Sequence, residues 1–552
     1  MPFPAPATPR RRSISARAFG AAGTIALLVV ALGCGTTAPA HRAETGMLIV
    51  GAEVLDGTGA PARRAAVRVR DGRIAEIGDL APLAGETVVD AAGLTLAPGF
   101  IDTHSHASGG LAEHPDALAA VSQGITTVIV GQDGESAPSL AKAFADLEQR
   151  PEAGQSLGPH RKAGLGAHGI AINLASYVGH NSVRDAVMGK DFRRHATPAE
   201  VARMEKLVEQ GMRDGALGFS TGLEYDPGIF SDPEEVLALA KVAARFGGRY
   251  ISHVRSEDRN FWPAIDELLR IGKETGMPVQ VSHIKLAMRS LWGQADRLLA
   301  RLDEARRAGI DVTADIYPYT YWQSTLTVVF PDRNFTDRAA AEFALSEVSS
   351  PEGMLVSTFA PDPAAAGKTI AEIARQRGTD PPATLMALIA EALAYEEKHP
   401  DADGVESVIG TSMDEADVAK ILAWPYTNLC TDGSLEGRHP RGYGSFPRVL
   451  GRYVREQHVV SLPEAIRKMT SLAAHNMGIS DRGTLAPGMA ADLVLFDPAT
   501  ILDRATTSQP HAVSVGVEAV WVNGAQVFAD GHVTGARPGK VIRRAAGRSA
   551  IR

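Results

Sequence analysis

Apolar positions along the chain change rhythm twice. Near the start they form short β-type runs, Met47-Leu48-Ile49-Val50, Ala66-Val67-Arg68-Val69 and Arg73-Ile74-Ala75-Glu76-Ile77, with Asp71-Gly72 between the last two as a hairpin turn. The same texture returns late, from Ala491 to Asp497 and from Val517 to Gly524. Residues 46–98 and 476–552 are therefore expected to build one small β-sandwich domain from both chain ends. Between them, short apolar runs alternate with longer helical stretches, the pattern of βαβ units and a parallel sheet. Eight candidate strands occur, at 95–103, 126–131, 171–178, 216–221, 249–254, 279–284, 312–317 and 427–431. Eight such strands predict an α/β fold, a (β/α)8 TIM-like barrel over 99–475, whose site lies at the strands' C-terminal ends. Residues 331–423 read as an insertion before the last strand, mostly helical by pattern, with helices expected at 339–348 and 382–397.

Length agrees with this division, because 552 residues exceed one ordinary domain but suit a barrel with a smaller partner. A formal net charge of −8 argues against a nucleic-acid partner, which would need clustered Lys and Arg. The two cysteines, Cys34 and Cys430, leave no disulfide framework and no cysteine zinc cluster, so any metal is held by His and carboxylate. Residues 1–34 read as an export signal: Arg10, Arg11, Arg12 and Arg17 precede an apolar run ending in Ala31-Leu32-Gly33-Cys34. That ending resembles a bacterial lipoprotein signal. The expected location is outside the cytoplasm, periplasmic or anchored to a membrane through lipid on Cys34, with 35–45 as linker; simple secretion or an uncleaved anchor is the alternative.

The candidate chemistry gathers where the barrel would open. His104 and His106 follow the first strand, Asp133 the second, His180 the third, and Glu224 with Tyr225 the fourth. His253, His283 with Lys285, Tyr319 and Asp432 end the other four. A His-x-His pair at a strand end points both imidazoles at one cation, although alone it also fits two polar loop residues.

Seven stretches in order extend this to a family. Gly99-Phe100-Ile101-Asp102-Thr103-His104-Ser105-His106, Val178-Gly179-His180, Gly222 to Gly228, Ser252-His253-Val254-Arg255-Ser256-Glu257, Ser282-His283-Ile284-Lys285, Tyr317-Pro318-Tyr319, and Thr431-Asp432-Gly433 with His439-Pro440-Arg441 resemble the N-acyl-D-amino-acid deacylase (D-aminoacylase) family of the amidohydrolase superfamily. The resemblance implies hydrolysis of the amide of small N-acyl-D-amino acids with a divalent metal, zinc, as one or two ions. It implies that His104 and His106 bind the more exposed metal and His253 and His283 the tighter one, with Asp432 as acid and base. Lys285 and Tyr319, with Ser324 or Thr325, would hold the substrate carboxylate, and Tyr225 would contact the substrate. Arg255 is placed on the substrate side too, where with Glu257 it also orients His253, unless the two form an ordinary strand-end ion pair.

One position departs from the family. Its usual metal-ligating cysteine after the second strand is replaced in Gly131-Gln132-Asp133-Gly134. Asp133 either ligates metal as a carboxylate, favouring harder cations, or merely starts an Asp-Gly turn. Glu224 and Asp226 read as turn caps, Arg441 as an anion binder or loop anchor, and Cys430 as core packing; His168, His475 and His511 are left outside the site. Two other activities stay open, a dipeptidase or cyclic-amide hydrolase of the same superfamily, and a surface-anchored binding protein whose metal site has decayed.

Overall fold

The computed structural model describes residues 46–148, 169–402 and 404–545. Eight parallel strands form the central barrel, β1 (Phe100–Asp102), β2 (Ile125–Val130), β3 (Asn173–Ser176 and Val178–Gly179), β4 (Gly218–Gly222), β5 (Arg249–His253), β6 (Val279–Val281), β7 (Val312–Ile316) and β8 (Thr427–Leu429). The sequence Ile-Thr-Thr-Val-Ile-Val of β2 is buried throughout, as expected of a parallel strand covered on both faces. β3 breaks at Tyr177: its first piece pairs with β2 and its second with β4. Side chains complete the ring between β8 and β1. Asp102 accepts from the Thr431 N–H at 2.8 Å, and the Thr103 hydroxyl donates to the Leu429 carbonyl at 3.1 Å.

The outer helices carry their own stop signals. Pro198–Asp214 starts at Thr197, whose hydroxyl and the Glu200 side chain form a reciprocal capping box, and it ends at Gly215 in the left-handed region.

The small domain joins the two chain ends as expected. Thr95–Pro98 runs antiparallel to Leu493–Phe496 within a seven-stranded sheet, and a four-stranded sheet built around Met47–Val50 packs against it. Leu96, Ile49, Leu493 and Trp521 lie in the core between them. The expected first strand, 95–103, is therefore two strands. Thr95–Pro98 belongs to the small domain and Phe100–Asp102 to the barrel, and the chain crosses at Gly99, whose N–H donates to the Asp492 carbonyl at 2.7 Å. A side chain at Gly99 would overlap Thr126, so glycine is needed at this crossing.

The insertion also differs from its expected form. It contains a four-stranded antiparallel sheet, Tyr321–Ser324, Glu406–Thr411, Met354–Phe359 and Lys368–Thr369 in spatial order, and so begins ahead of residue 331. Alternating runs such as Glu-Ser-Val-Ile-Gly-Thr carry a strand period that the neighbouring helices mask. The helices expected there are present, at Arg338–Phe343 continuing through Val348 and at Pro381–Lys398. Glu415–Ala423 belongs to the barrel instead, leading into β8. Cys430 is buried and free. Cys34 and the export segment, like His168, lie outside the described residues.

Candidate metal centre

Strand ends other than that of β3 deliver polar groups to the barrel mouth. Asp133, His283 and Asp432 all turn there through the left-handed region, with φ of 51°, 33° and 49°. Asp and His tolerate that region better than most residues, and such backbone is held in place only where the surroundings require it. Beneath them Asp315 on β7 accepts from the His283 N–H at 2.5 Å and from Gln280 Nε2 at 2.7 Å. These bonds fix the turn carrying His283.

His104, Asp133, His283 and Asp432 form one group whose ligand atoms lie within 4.8 Å of one another. Asp133 is central: Oδ1 lies 3.4 Å from Nε2 of both His104 and His283, and Oδ2 lies 3.4 Å from His106 Nε2. Asp432 Oδ1 lies 3.5 Å from His104 Nε2 and 3.2 Å from His106 Nε2. The His104 side chain is fully buried, whereas His106 is 30% exposed at the rim. A second group joins His253, Glu257 and His283, with His253 Nδ1 3.0 Å from His283 Nε2. His104 and His106 thus share Asp133 and Asp432, His253 and His283 meet directly, and His283 belongs to both groups, with Asp133 between it and His104.

These residues fit a divalent cation. Both ring nitrogens of His104 and Oδ1 of Asp133 are buried without a hydrogen-bond partner, a costly state unless a ligand satisfies them. The donors are imidazole nitrogen and carboxylate oxygen, as borderline cations such as zinc take. Burial opposes the charge on Asp133, yet His104 and His283 hold its carboxyl well below the usual range. Burial likewise opposes charge on Asp432, and Arg441 first, then His283, keep it ionised. Arg441 Nη1 lies 2.6 Å from Asp432 Oδ2.

The cavity beside the cluster is lined by Tyr225, His253, Lys285, Ser324, Asp432 and Arg441 among others. Two expected substrate residues lie elsewhere. Tyr319 directs its hydroxyl to Asp503 at 3.3 Å, because an i to i+2 bond from its N–H to the Tyr317 carbonyl turns the chain at Pro318 and swings the ring outward. Tyr317 faces the cavity instead, its buried hydroxyl unpartnered. Arg255 makes a two-pronged pair with Glu267 at 2.8 Å and donates to the Ser231 carbonyl, so neither substrate nor His253 meets it. His253 is oriented by Glu224, with Nε2 to Oε2 at 2.9 Å, and Tyr225 packs on its ring with centroids 4.4 Å apart. Glu224 reads in sequence only as a turn residue beside Asp226-Pro227-Gly228. Lys285 Nζ sits 2.5 Å from Glu257 Oε1 and donates to His283 Nδ1 at 2.6 Å. Thr325 bonds to Thr327 at 2.9 Å. His180 starts a helix and pairs with Glu235 at 2.9 Å, away from the cluster.

A barrel with histidines and carboxylates converging at its C-terminal mouth defines the class of barrel hydrolases that work with a divalent metal. Comparison with known proteins narrows that class. Residues 87–528 match the amidohydrolase family. The chain is 37% identical to an N-acyl-D-glutamate deacylase of Alcaligenes xylosoxydans xylosoxydans over 509 residues, 90% of this chain and 96% of that protein. It is 37% identical over 508 residues to a D-aminoacylase of the same organism, 91% and 98% of the two chains. Among solved structures, N-acyl-D-glutamate deacylase from Bordetella bronchiseptica, complexed with zinc and a phosphonate mimic of the tetrahedral intermediate, superposes with a TM-score of 0.77 at 38% identity, covering 91% of this chain and all of that one. The chain belongs to the amidohydrolase family, in its N-acyl-D-amino-acid deacylase branch.

Proposed function

We propose that this protein hydrolyses the amide bond of N-acyl-D-amino acids, releasing a carboxylic acid and a D-amino acid. The observation that carries the reading is Asp432: a buried carboxylate, paired with Arg441, that belongs to the metal-ligating group and also faces the cavity holding Lys285. A divalent cation, zinc in the related solved structure, would be held by His104, His106, Asp133, His253 and His283 and supplies a Lewis acid that polarises the carbonyl and acidifies water. Asp432 accepts the proton as water oxygen attacks the carbonyl carbon, then returns it to the amide nitrogen as the carbon–nitrogen bond breaks. Arg441 holds Oδ2, which leaves Oδ1 toward His104 and His106 for that transfer. Lys285 provides the cation for the substrate's carboxylate, with the Tyr317 hydroxyl and Ser324 as neutral partners in place of Tyr319. Tyr225 closes the wall over His253.

A buried lysine facing the cavity favours a substrate with a free carboxylate over a cyclic amide, so a dipeptidase is the nearer alternative and a decayed binding protein the farther one. Turnover of N-acetyl-D-amino acids, N-acetyl-L-amino acids, dipeptides and a hydantoin, with elemental analysis of the same sample, decides between them; hydrolysis of dipeptides alone would overturn the deacylase reading. Residues 1–34 support export, with lipid on Cys34 as the membrane anchor. In a bacterial host, Cys34→Ala should move the protein from the membrane to the soluble fraction, and an unchanged distribution would remove the anchor.

A further inference from the structure

Similarity does not choose the substrate's side chain, since the relative named for D-glutamate and the one named as a D-aminoacylase are each 37% identical to this chain. The cavity's own charges do choose. Its two permanent cations each already face a carboxylate, Lys285 with Glu257 at 2.5 Å and Arg441 with Asp432 at 2.6 Å. Glu224 and Asp258 add two more carboxylates to the same lining, against no further lysine or arginine among the described residues. Besides Gln323 and Ser324, the insertion contributes four apolar residues to the lining, Trp322, Val328, Val329 and Val348, and Ala287 from the loop after β6 adds a fifth. Trp322 has its indole N–H spent on the Ser412 hydroxyl at 2.6 Å, so it offers the cavity a ring and no donor. Gln323 is likewise engaged, with Ser407 Oγ at 2.8 Å.

One substrate carboxylate can share Lys285, whose ammonium has three protons. With the divalent cation committed to the amide carbonyl, a second carboxylate would find no free lysine or arginine among the described lining residues and would leave water without compensation. We infer that this cavity selects N-acyl-D-amino acids with uncharged, apolar side chains and rejects N-acyl-D-glutamate and N-acyl-D-aspartate. The inference rests on the deacylase reading above and narrows it to a substrate class. The apolar residues of the insertion take the alkyl or aromatic group, and the lining offers an acidic one no unpaired cation.

The test compares kcat/KM for the N-acetyl derivatives of D-leucine, D-methionine and D-phenylalanine with those of D-glutamate and D-aspartate on the metal-loaded full chain. The apolar set is expected to lead by about 100-fold or more, the usual scale of a buried charge left unpaired. Acidic substrates turned over equally or faster would overturn the selection while leaving the deacylase intact. Binding keeps the two questions apart. Calorimetry on Asp432→Asn should show N-acetyl-D-leucine binding at least tenfold tighter than N-acetyl-D-glutamate even if the native chain turns over neither. Equal or reversed affinities there would overturn the selection. A supporting variant, Val328→Arg, places a cation on the apolar wall and should raise the D-glutamate to D-leucine ratio at least tenfold; an unmoved ratio in folded protein would remove the wall from specificity.

Discussion

At the N-terminal end of the barrel strands, Asp492 accepts from the Asn523 N–H at 2.7 Å and from Asn173 Nδ2 at 2.9 Å, and it pairs with Arg482. At the C-terminal end, Asp133 lies among three histidines with one oxygen unpartnered. Both aspartates are buried at strand ends, in a barrel whose architecture treats the two ends differently. The lower network is closed within the protein: Asn523 Nδ2 returns to Asn173 Oδ1 at 2.8 Å and to the Pro538 carbonyl at 3.0 Å, tying the C-terminal segment and the small domain to β3. The upper one is open, and its backbone takes left-handed turns at three of its members. A closed buried network reads as architecture, and an open one reads as a place for a ligand.

The strongest way to break this contrast acts at the open end. Asp432→Asn keeps the shape but cannot shuttle a proton, so kcat should fall by about 10²–10⁴-fold with the thermal midpoint and metal content nearly unchanged. Turnover near the native rate would take Asp432 out of the chemistry. Asp133→Ala should lose metal together with activity, its affinity weakened by roughly 100-fold or more. Asp133→Cys should keep the metal through a thiolate, with preference moved toward zinc. Metal-to-protein ratios after dialysis against chelator check both, and a native ratio in Asp133→Ala would return Asp133 to a plain turn residue.

At the closed end the forecast reverses. Asp492→Ala strands the buried Arg482 guanidinium and should cost roughly 3–5 kcal/mol, seen as a lower denaturant midpoint, while kcat of the folded protein stays within about twofold. A large drop in kcat with stability intact would erase the distinction between the ends.

How much of this is legible in the sequence follows the same line. His104, His106, His253, His283 and Asp432 stand out because a strand's apolar run ends in an abrupt polar residue, and eight such ends must converge. Asp133 stands out by its position after β2. Tyr319 misleads because Tyr317-Pro318-Tyr319 offers two rings and the sequence does not show which way the chain turns at Pro318. Glu224 is hidden by the turn signal beside it, although its carboxylate orients His253. Glu257 and Arg441 are visible as charges, but only the fold assigns them, Glu257 to Lys285 from the next strand end and Arg441 back to Asp432 across the loop after β8. The insertion's sheet is lost between helices because its strands pair out of chain order.

Glu406, a buried carboxylate at neither end of the barrel, calibrates what burial alone does. It lies in the insertion's sheet, where the Leu326 N–H donates to its two oxygens at 2.8 and 2.9 Å and no cation among the described residues answers it, and burial pushes its carboxyl up to about 8. The folded chain then holds a proton that the unfolded chain releases above the ordinary Glu value. Its contribution to stability is complete below about pH 4.5 and disappears as pH rises to about 8. Glu406→Gln should remove on the order of 3 kcal/mol of that pH dependence between pH 5 and 8.5, measured as the difference in unfolding free energy. Equal slopes in both proteins would show that Glu406 stays ionised in the fold.

The smallest expected effect joins the open end to the insertion through Arg333. Its Nη2 donates to the Glu224 carbonyl at 2.7 Å, its Nε to Asp226 Oδ1 at 2.9 Å, and its Nη1 to the Phe330 carbonyl at 2.9 Å. One guanidinium from the insertion thus straps the loop whose Glu224 side chain orients His253 and whose Tyr225 ring packs on it. Removing the strap leaves every metal-ligating side chain in place but frees the loop that aims one of them. Arg333→Ala should therefore lower kcat by roughly tenfold, the lower end of what losing an outer partner of a metal ligand costs, and loosen metal retention slightly. Arg333→Lys, which supplies charge but not the fork, should recover only part of the loss. If Arg333 served stability alone, the denaturant midpoint would fall while kcat of the folded enzyme held. A kcat that drops with the midpoint unchanged places the insertion among the parts that set the open end's geometry.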